Sequence, residues 1–390
     1  MAEVSNKGSE NKKSEVPASK PVWWFVVLVL LVACGGYFVG GRMRSAASRH
    51  ESGQVVAKAP PQKKLTHRQA GDEALAQKRY DQAVSEYRLT LQDANTAEGQ
   101  ERLAQALLKQ GKAEEAFAEF QETLRLDPSR ASAASSWGLA LAAEGKLDEA
   151  KSVLQDALKR NPDAGLLHFN LAATLLQIRV DAQGRSRMAT AAGKTEAALA
   201  AETEAKALAN EALQHFAKAD HSHFDSSSFW SGYGQLRNEL GQYVEAESCL
   251  VRAVAEDSGL ATAHFQLALA EDHLGKYAEA IEHYEKALQL IPNDPNTLNN
   301  LALLYASATN LEVRTPKMAV LLATRACDAT TDQNARYMDT LALSYAADGD
   351  LFQAITWEDK AIHRATQLGN QELARELQEH EALFAGDKPQ

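Results

Sequence analysis

The chain has 390 residues, 24% charged and 45% apolar, with a formal net charge of −11. That apolar fraction can bury a core, which excludes general disorder. Three cysteines (Cys34, Cys249, Cys327) with no CxxC pair exclude a disulfide framework and a zinc or thioredoxin-like motif. The first 65 residues hold ten basic against four acidic side chains and the remainder 31 against 48. So acidic a body repels phosphate backbones, and no nucleic-acid partner is expected.

In chain order, residues 1–21 read as a polar tail. Val22–Gly40 is 19 residues without a charge, about 28 Å long as a helix and close to the hydrocarbon thickness of a bilayer. Trp23, Trp24 and Tyr37 suit the two interfaces, and Lys20 and Arg42 close the run. The segment predicts one transmembrane helix. Leu31-Val32-Ala33-Cys34 resembles the lipobox of bacterial lipoproteins, in which Cys34 would be acylated and become the mature N-terminus. Tyr37-Phe38-Val39 prolong the apolar run past the cysteine, which favours an uncleaved anchor. Gly36 and Gly40 form a GxxxG pair through which two anchors could pack as a homodimer, or a flexible exit from the bilayer. Four lysines before the span against three arginines after it (Lys7, Lys12, Lys13, Lys20; Arg42, Arg44, Arg49) lean towards a cytoplasmic N-terminus. The body is then extracytoplasmic, periplasmic in a bacterium. Residues 41–65, with Pro60-Pro61, read as a flexible linker.

From residue 66 the sequence repeats. Alanines recur at Ala83, Ala116, Ala150, Ala212, Ala246, Ala280, Ala319 and Ala354, mostly 33 to 35 residues apart. Four residues on sits a large side chain in most copies (Tyr87, Phe120, Leu154, Phe216, Leu250, Tyr284), and seven on usually a small one. These offsets share one helical face. Upstream, Gly71, Ala104, Gly138, Ala172, Gly234, Ala268, Ala302 and Ala342 mark a partner helix that approaches closely. Short turns such as Lys146-Leu147-Asp148-Glu149 and Lys276-Tyr277-Ala278-Glu279 are expected between the two helices. Asp127-Pro128, Asn161-Pro162 and Ile291-Pro292 end copies, because proline pushes the residue before it out of the helical region.

Trp137-Gly138-Leu139…Gly145-Lys146-Leu147-Asp148-Glu149-Ala150 and Leu267-Ala268…Gly275-Lys276-Tyr277-Ala278-Glu279-Ala280-Ile281…Tyr284…Ala287…Pro292 resemble the tetratricopeptide repeat (TPR), a helix–turn–helix unit of 34 residues. Eight copies are counted, at 64–96, 97–130, 131–164, 165–226, 227–260, 261–294, 295–334 and 335–368. The fourth carries a 28-residue insert at 178–205, read as a surface loop running into a lengthened helix. Its Arg179, Arg185, Arg187 and Lys194 are the densest basic group in the body, open to a docking role. The expected fold is all-α: a right-handed α-solenoid of about eight TPR helix pairs over 66–368, preceded by one N-terminal transmembrane helix. A capping helix at 370–385 closes it, with Leu373, Leu377 and Phe384 on one face and Glu372, Glu376 and Glu379 on the other.

No nucleotide-binding, hydrolase or metalloprotease motif is present, so no enzyme, cofactor or metal site is expected. His215, Asp220, His221, His223 and Asp225 read as a solvated turn, and His264, His273 and His283 as lying on different faces. Cys249 and Cys327 read as small core residues. The TPR resemblance implies a concave groove, lined by the first helix of each copy, that takes a peptide. It puts Asn170, Gln235, Asn238, Phe265, Gln266, Asp272, His273, Asn299 and Asn300 on or near that surface. Amides can both donate to and accept from an extended backbone. Asn170 and Asn300 resemble the asparagine ladder of the O-linked N-acetylglucosamine transferase superhelix, broken here by Ser136, Gly232, Gln266 and Thr340. The implied partner is a protein segment, basic or extended, held by a membrane-anchored scaffold. The alternative is a Cys34-acylated, chaperone-like assembly factor for envelope or secreted proteins.

Overall fold

Alanine- and leucine-rich segments punctuated by glycine can bury only one stripe per helix, so each helix needs a neighbour on either side. The computed structural model describes residues 65–221, 226–308, 310, 313–384 and 386. The polar tail, the 22–40 span with Cys34, Gly36 and Gly40, and the linker up to residue 64 lie outside them. Seventeen α-helices and no strand occur among the described residues, and none of those helices is long and apolar enough to cross a membrane.

The helices pair in chain order: α1 (His67–Ala76) with α2 (Tyr80–Asp93), α3 (Ala97–Lys109) with α4 (Ala113–Leu126), α5 (Ala131–Ala143) with α6 (Leu147–Arg160), and α7 (Gly165–Ala191) with α8 (Thr195–His221). Next come α9 (Ser227–Glu239) with α10 (Tyr243–Glu256), α11 (Ala261–His273) with α12 (Tyr277–Leu290), α13 (Pro295–Ser307) with α14 (Pro316–Ala329), and α15 (Ala335–Asp348) with α16 (Leu351–Gln367). A last helix, α17 (Gln371–Phe384), follows alone.

One turn chemistry joins most pairs. At Gly111, Gly145, Gly241, Gly275 and Gly349 the backbone is left-handed, and the following N–H bonds back to the carbonyl five residues earlier, as Lys112 does to Leu107 and Lys276 to Glu271. The turn is therefore Gly–Lys rather than Lys146–Glu149. Leu147, Asp148 and Glu149 already form the first turn of α6, where carboxylates favour the helix dipole. Pro316 opens α14, where its missing N–H costs nothing.

All eight repeat alanines are fully buried, as are or nearly are the side chains four residues on: Tyr87, Phe120, Leu154, Phe216, Leu250 and Tyr284. Glycine sits opposite where space is tightest. A Cβ on Gly71 would stand 2.7 Å from the Tyr87 ring, one on Gly138 2.7 Å from Leu154, and one on Gly234 would collide with Leu250. At the junction of the fourth and fifth pairs, Phe169, Phe216, Phe229, Trp230 and Tyr233 form an aromatic cluster, with Phe216 stacked on Tyr233 at 5.3 Å.

The insert is not a loop. It lengthens both helices of the fourth pair to 27 residues, about 40 Å each, against 13 or 14 in the adjoining pairs, and a three-residue turn at 192–194 joins them. Alanine explains this, since Ala182, Ala201 and Ala205 fill the seam and let the helices continue side by side. Arg179 pairs with Glu239 of α9 and Arg185 with Glu204 across the hairpin, so two of its four basic groups are neutralised within the chain. Cys249 and Cys327 are buried core thiols; burial pushes them up to about 11 and about 12.

Candidate functional site

Successive pairs meet through second helix against next first helix, and additionally through first helix against first helix: α5 with α7, α9 with α11, α13 with α15. First helices thus adjoin one another over α3–α5–α7 and over α9–α11–α13–α15, and polar side chains bridge them.

Of the nine groove residues expected from sequence, three (Asn170, Asn238 and Gln266) bond between neighbouring repeats. Asn170 is buried, donating to the Ser135 hydroxyl at 2.6 Å, and Asn238 is buried, donating to the carbonyl (2.8 Å) and side-chain oxygen (3.1 Å) of Gln266. These bonds join neighbouring repeats. The Oδ1 atoms of Asn170, Asn238 and Asn299 are themselves buried and have no partner in the chain. Asn300 is half-buried and donates to the Asn296 carbonyl, while Asn296 accepts from Tyr337 of α15. Phe265 lies half-exposed against Tyr284, with ring centroids 6.0 Å apart. Gln235 is exposed and donates to Glu239; His273 is exposed and stacks on Tyr243 at 4.1 Å. Asp272 is half-buried, its carboxyl raised by desolvation.

Three ionisable clusters behind this row escape sequence reading. His168 and His264 hold the same place in the fourth and sixth repeats. Each directs Nε2 at a carbonyl of the preceding turn, Pro162 at 2.8 Å and Ser258 at 3.2 Å. A carbonyl only accepts, so Nε2 carries the proton, and Nδ1 is left to accept from a second-helix histidine: His215 at 2.8 Å and His283 at 3.1 Å. His264 and His283 thus face each other rather than lying on different faces, and only His273 stands apart. Burial lowers all four imidazoles, His215 to about 4. Glu271, buried and 3.6 Å from His283, is pushed up to about 8 by desolvation and then by Glu247. His221, His223 and Asp225 lie in or beside the undescribed 222–225 segment.

The third cluster closes the array. Asp339 of α15, Glu358 of α16 and His380 of α17 bring a ligand-type atom each within 4.8 Å of one another. His380 Nδ1 is 2.9 Å from Asp339 Oδ1. Glu358 is fully buried, and no group of the chain donates to either of its oxygens. Desolvation, then the Asp339 and Glu381 charges, pushes it up to about 9. One signal was available: Glu358 lies four residues after Ala354, where other copies carry Tyr87, Phe120, Leu154, Leu250 or Tyr284.

Tetratricopeptide repeat family models match residues 68–131, 136–164 and 261–294. Those stretches match tetratricopeptide repeats, and the described body is an all-α solenoid of helix pairs. Over 92 residues it is 34% identical to the Pseudomonas putida protein named "Probable biofilm formation methyltransferase WspC". That similarity covers 24% of this chain and 22% of the relative, so the chain spans about a fifth of its length. Among solved structures, YrrB, described as a TPR protein with an unusual peptide-binding site, is 17% identical, covering 59% of this chain and 97% of that one at a TM-score of 0.44. Pseudomonas aeruginosa PilF is 22% identical, covering 64% and 97% at 0.45. The Cut9–Hcn1 assembly is 14% identical, covering 79% and 54% at 0.45.

Proposed function

We propose that this protein is a non-enzymatic TPR scaffold, anchored in a membrane through 22–40, whose row of first helices grips extended or basic protein segments. The observation that carries the reading is the run of half-buried Phe265, Gln266, Asn299 and Asn300 along adjoining first helices. An extended peptide pairs its N–H groups and carbonyls with amide side chains, and the acidic body favours a basic one. The bilayer would hold bound segments near its surface, with the N-terminus cytoplasmic and the body on the far side.

A photo-crosslinking residue at position 300 in living cells is expected to capture a protein partner, whereas the same residue at 251 on α10 captures none. Replacing Phe265, Asn299 and Asn300 together with alanine is expected to abolish capture, and salt to weaken it. Equal capture from both positions overturns groove binding. The second reading, a Cys34-acylated assembly factor, rests on Leu31–Cys34. Palmitate labelling lost in Cys34→Ala, with a mature chain starting at residue 34, would replace the uncleaved anchor.

A further inference from the structure

We infer that Asp339, Glu358 and His380 form a binding site for one divalent metal ion of the zinc class, clamping the closing helix α17 onto the last repeat. Each ligand comes from a different helix, and the sequence separations of 19 and 22 residues hide them from any motif.

Three observations converge. Glu358 occupies a position that in the other repeats is apolar and fully buried, and it is itself 0% exposed. A carboxyl there is costly unless something compensates its charge or its lone pairs. The Asp339–His380 contact leaves Glu358 against the Asp339 carboxyl, with no N–H or hydroxyl of the chain donating to its oxygens. The surroundings add negative charge: Glu376 and Glu381 on α17 and Asp359 beside Glu358, against Arg336, which pairs with Glu376 at 3.4 Å. A cation at the centre of the trio is favoured by this surrounding charge.

The donor set selects the ion. One imidazole and two carboxylates suit zinc and its first-row neighbours, while magnesium and calcium prefer all-oxygen shells. Bonds of about 2.0–2.2 Å place tetrahedral ligand atoms roughly 3.3–3.5 Å apart. The Asp339–His380 separation is already shorter than that, and side-chain rotation brings Glu358 in. His380 is about a third exposed, which leaves an entry path and room for water as a fourth ligand.

The full chain, stripped with chelator and titrated with zinc chloride at pH 7, is expected to take one equivalent and to unfold at a higher temperature. Glu358→Gln, which keeps the side-chain shape but removes the carboxylate, and His380→Ala should each weaken binding at least tenfold with helicity retained. His264→Ala should leave binding intact. Absence of zinc binding, binding unchanged in both variants, loss only in His264→Ala, or equal affinity for magnesium each overturns the assignment.

Discussion

Lys78 sits in the first repeat where later repeats place a left-handed glycine, with φ of 58° and the same hydrogen bonds from the turn back into α1. A Cβ in that conformation costs roughly 1–2 kcal/mol, partly offset by the chain entropy that glycine loses on folding. Lys78→Gly is therefore expected to stabilise the first pair by about 0.5–1 kcal/mol, read as a rise in urea midpoint; a fall would mean that the turn tolerates lysine without strain. The buried ionisable groups give the residue scale a pH signature with two signs. His215 is lowered to about 4 by desolvation and the neighbouring His168. The unfolded chain takes up a proton near 6.5 that the folded chain refuses, so stability falls as pH drops from about 6.5 to 4. Glu271, raised to about 8, behaves oppositely. Its folded form keeps a proton that the unfolded chain gives up near 4.5, so stability is lost as pH rises from there to about 8. Denaturation against pH should show His215→Leu gaining on the parent only below about 6.5. Glu271→Gln should gain only above about 4.5.

At the scale of elements, the fourth pair is the departure. Its tip is held by alanine contacts and by the Ser186 hydroxyl on the Ala198 carbonyl, with Met188 and Leu199 exposed. Such a tip contributes little to the core, and closing a shorter hairpin costs little entropy. Replacing 184–199 with a short glycine turn is expected to leave the other helices intact and to shift the unfolding midpoint by no more than about 5 °C. Loss of cooperative unfolding would show instead that the tip is integral. The helices themselves were legible, because the four- and seven-residue offsets around each alanine impose one buried stripe. The lengthening of α8 was legible too; that of α7, read as a loop, was not. Ala-rich sequence is compatible with helix or loop, and only the packing of Ala182 against its partner helix decides.

Across the whole molecule, each pair touches only its neighbours, so stability is close to a sum of local and nearest-neighbour contributions. The aromatic cluster joining the fourth and fifth pairs should make that region the most protected. Amide exchange is expected to be slowest in α8 and α9 and fastest in α1 and α2, where one neighbouring pair is missing among the described residues. Uniform protection along the array would contradict this nearest-neighbour picture.

Periodicity alone determined the helix pairs, the glycine positions and the closing helix, because each follows from spacing along one chain. Asn170 and Asn238 show where that reading stops. An amide facing a groove and an amide tying two repeats together look identical in sequence, and their partners Ser135 and Gln266 lie 35 and 28 residues away. The histidine pairs and the Asp339–Glu358–His380 trio belong to the same class. Their chemistry depends on distances between side chains on different helices, and those distances exist only once the pairs have stacked.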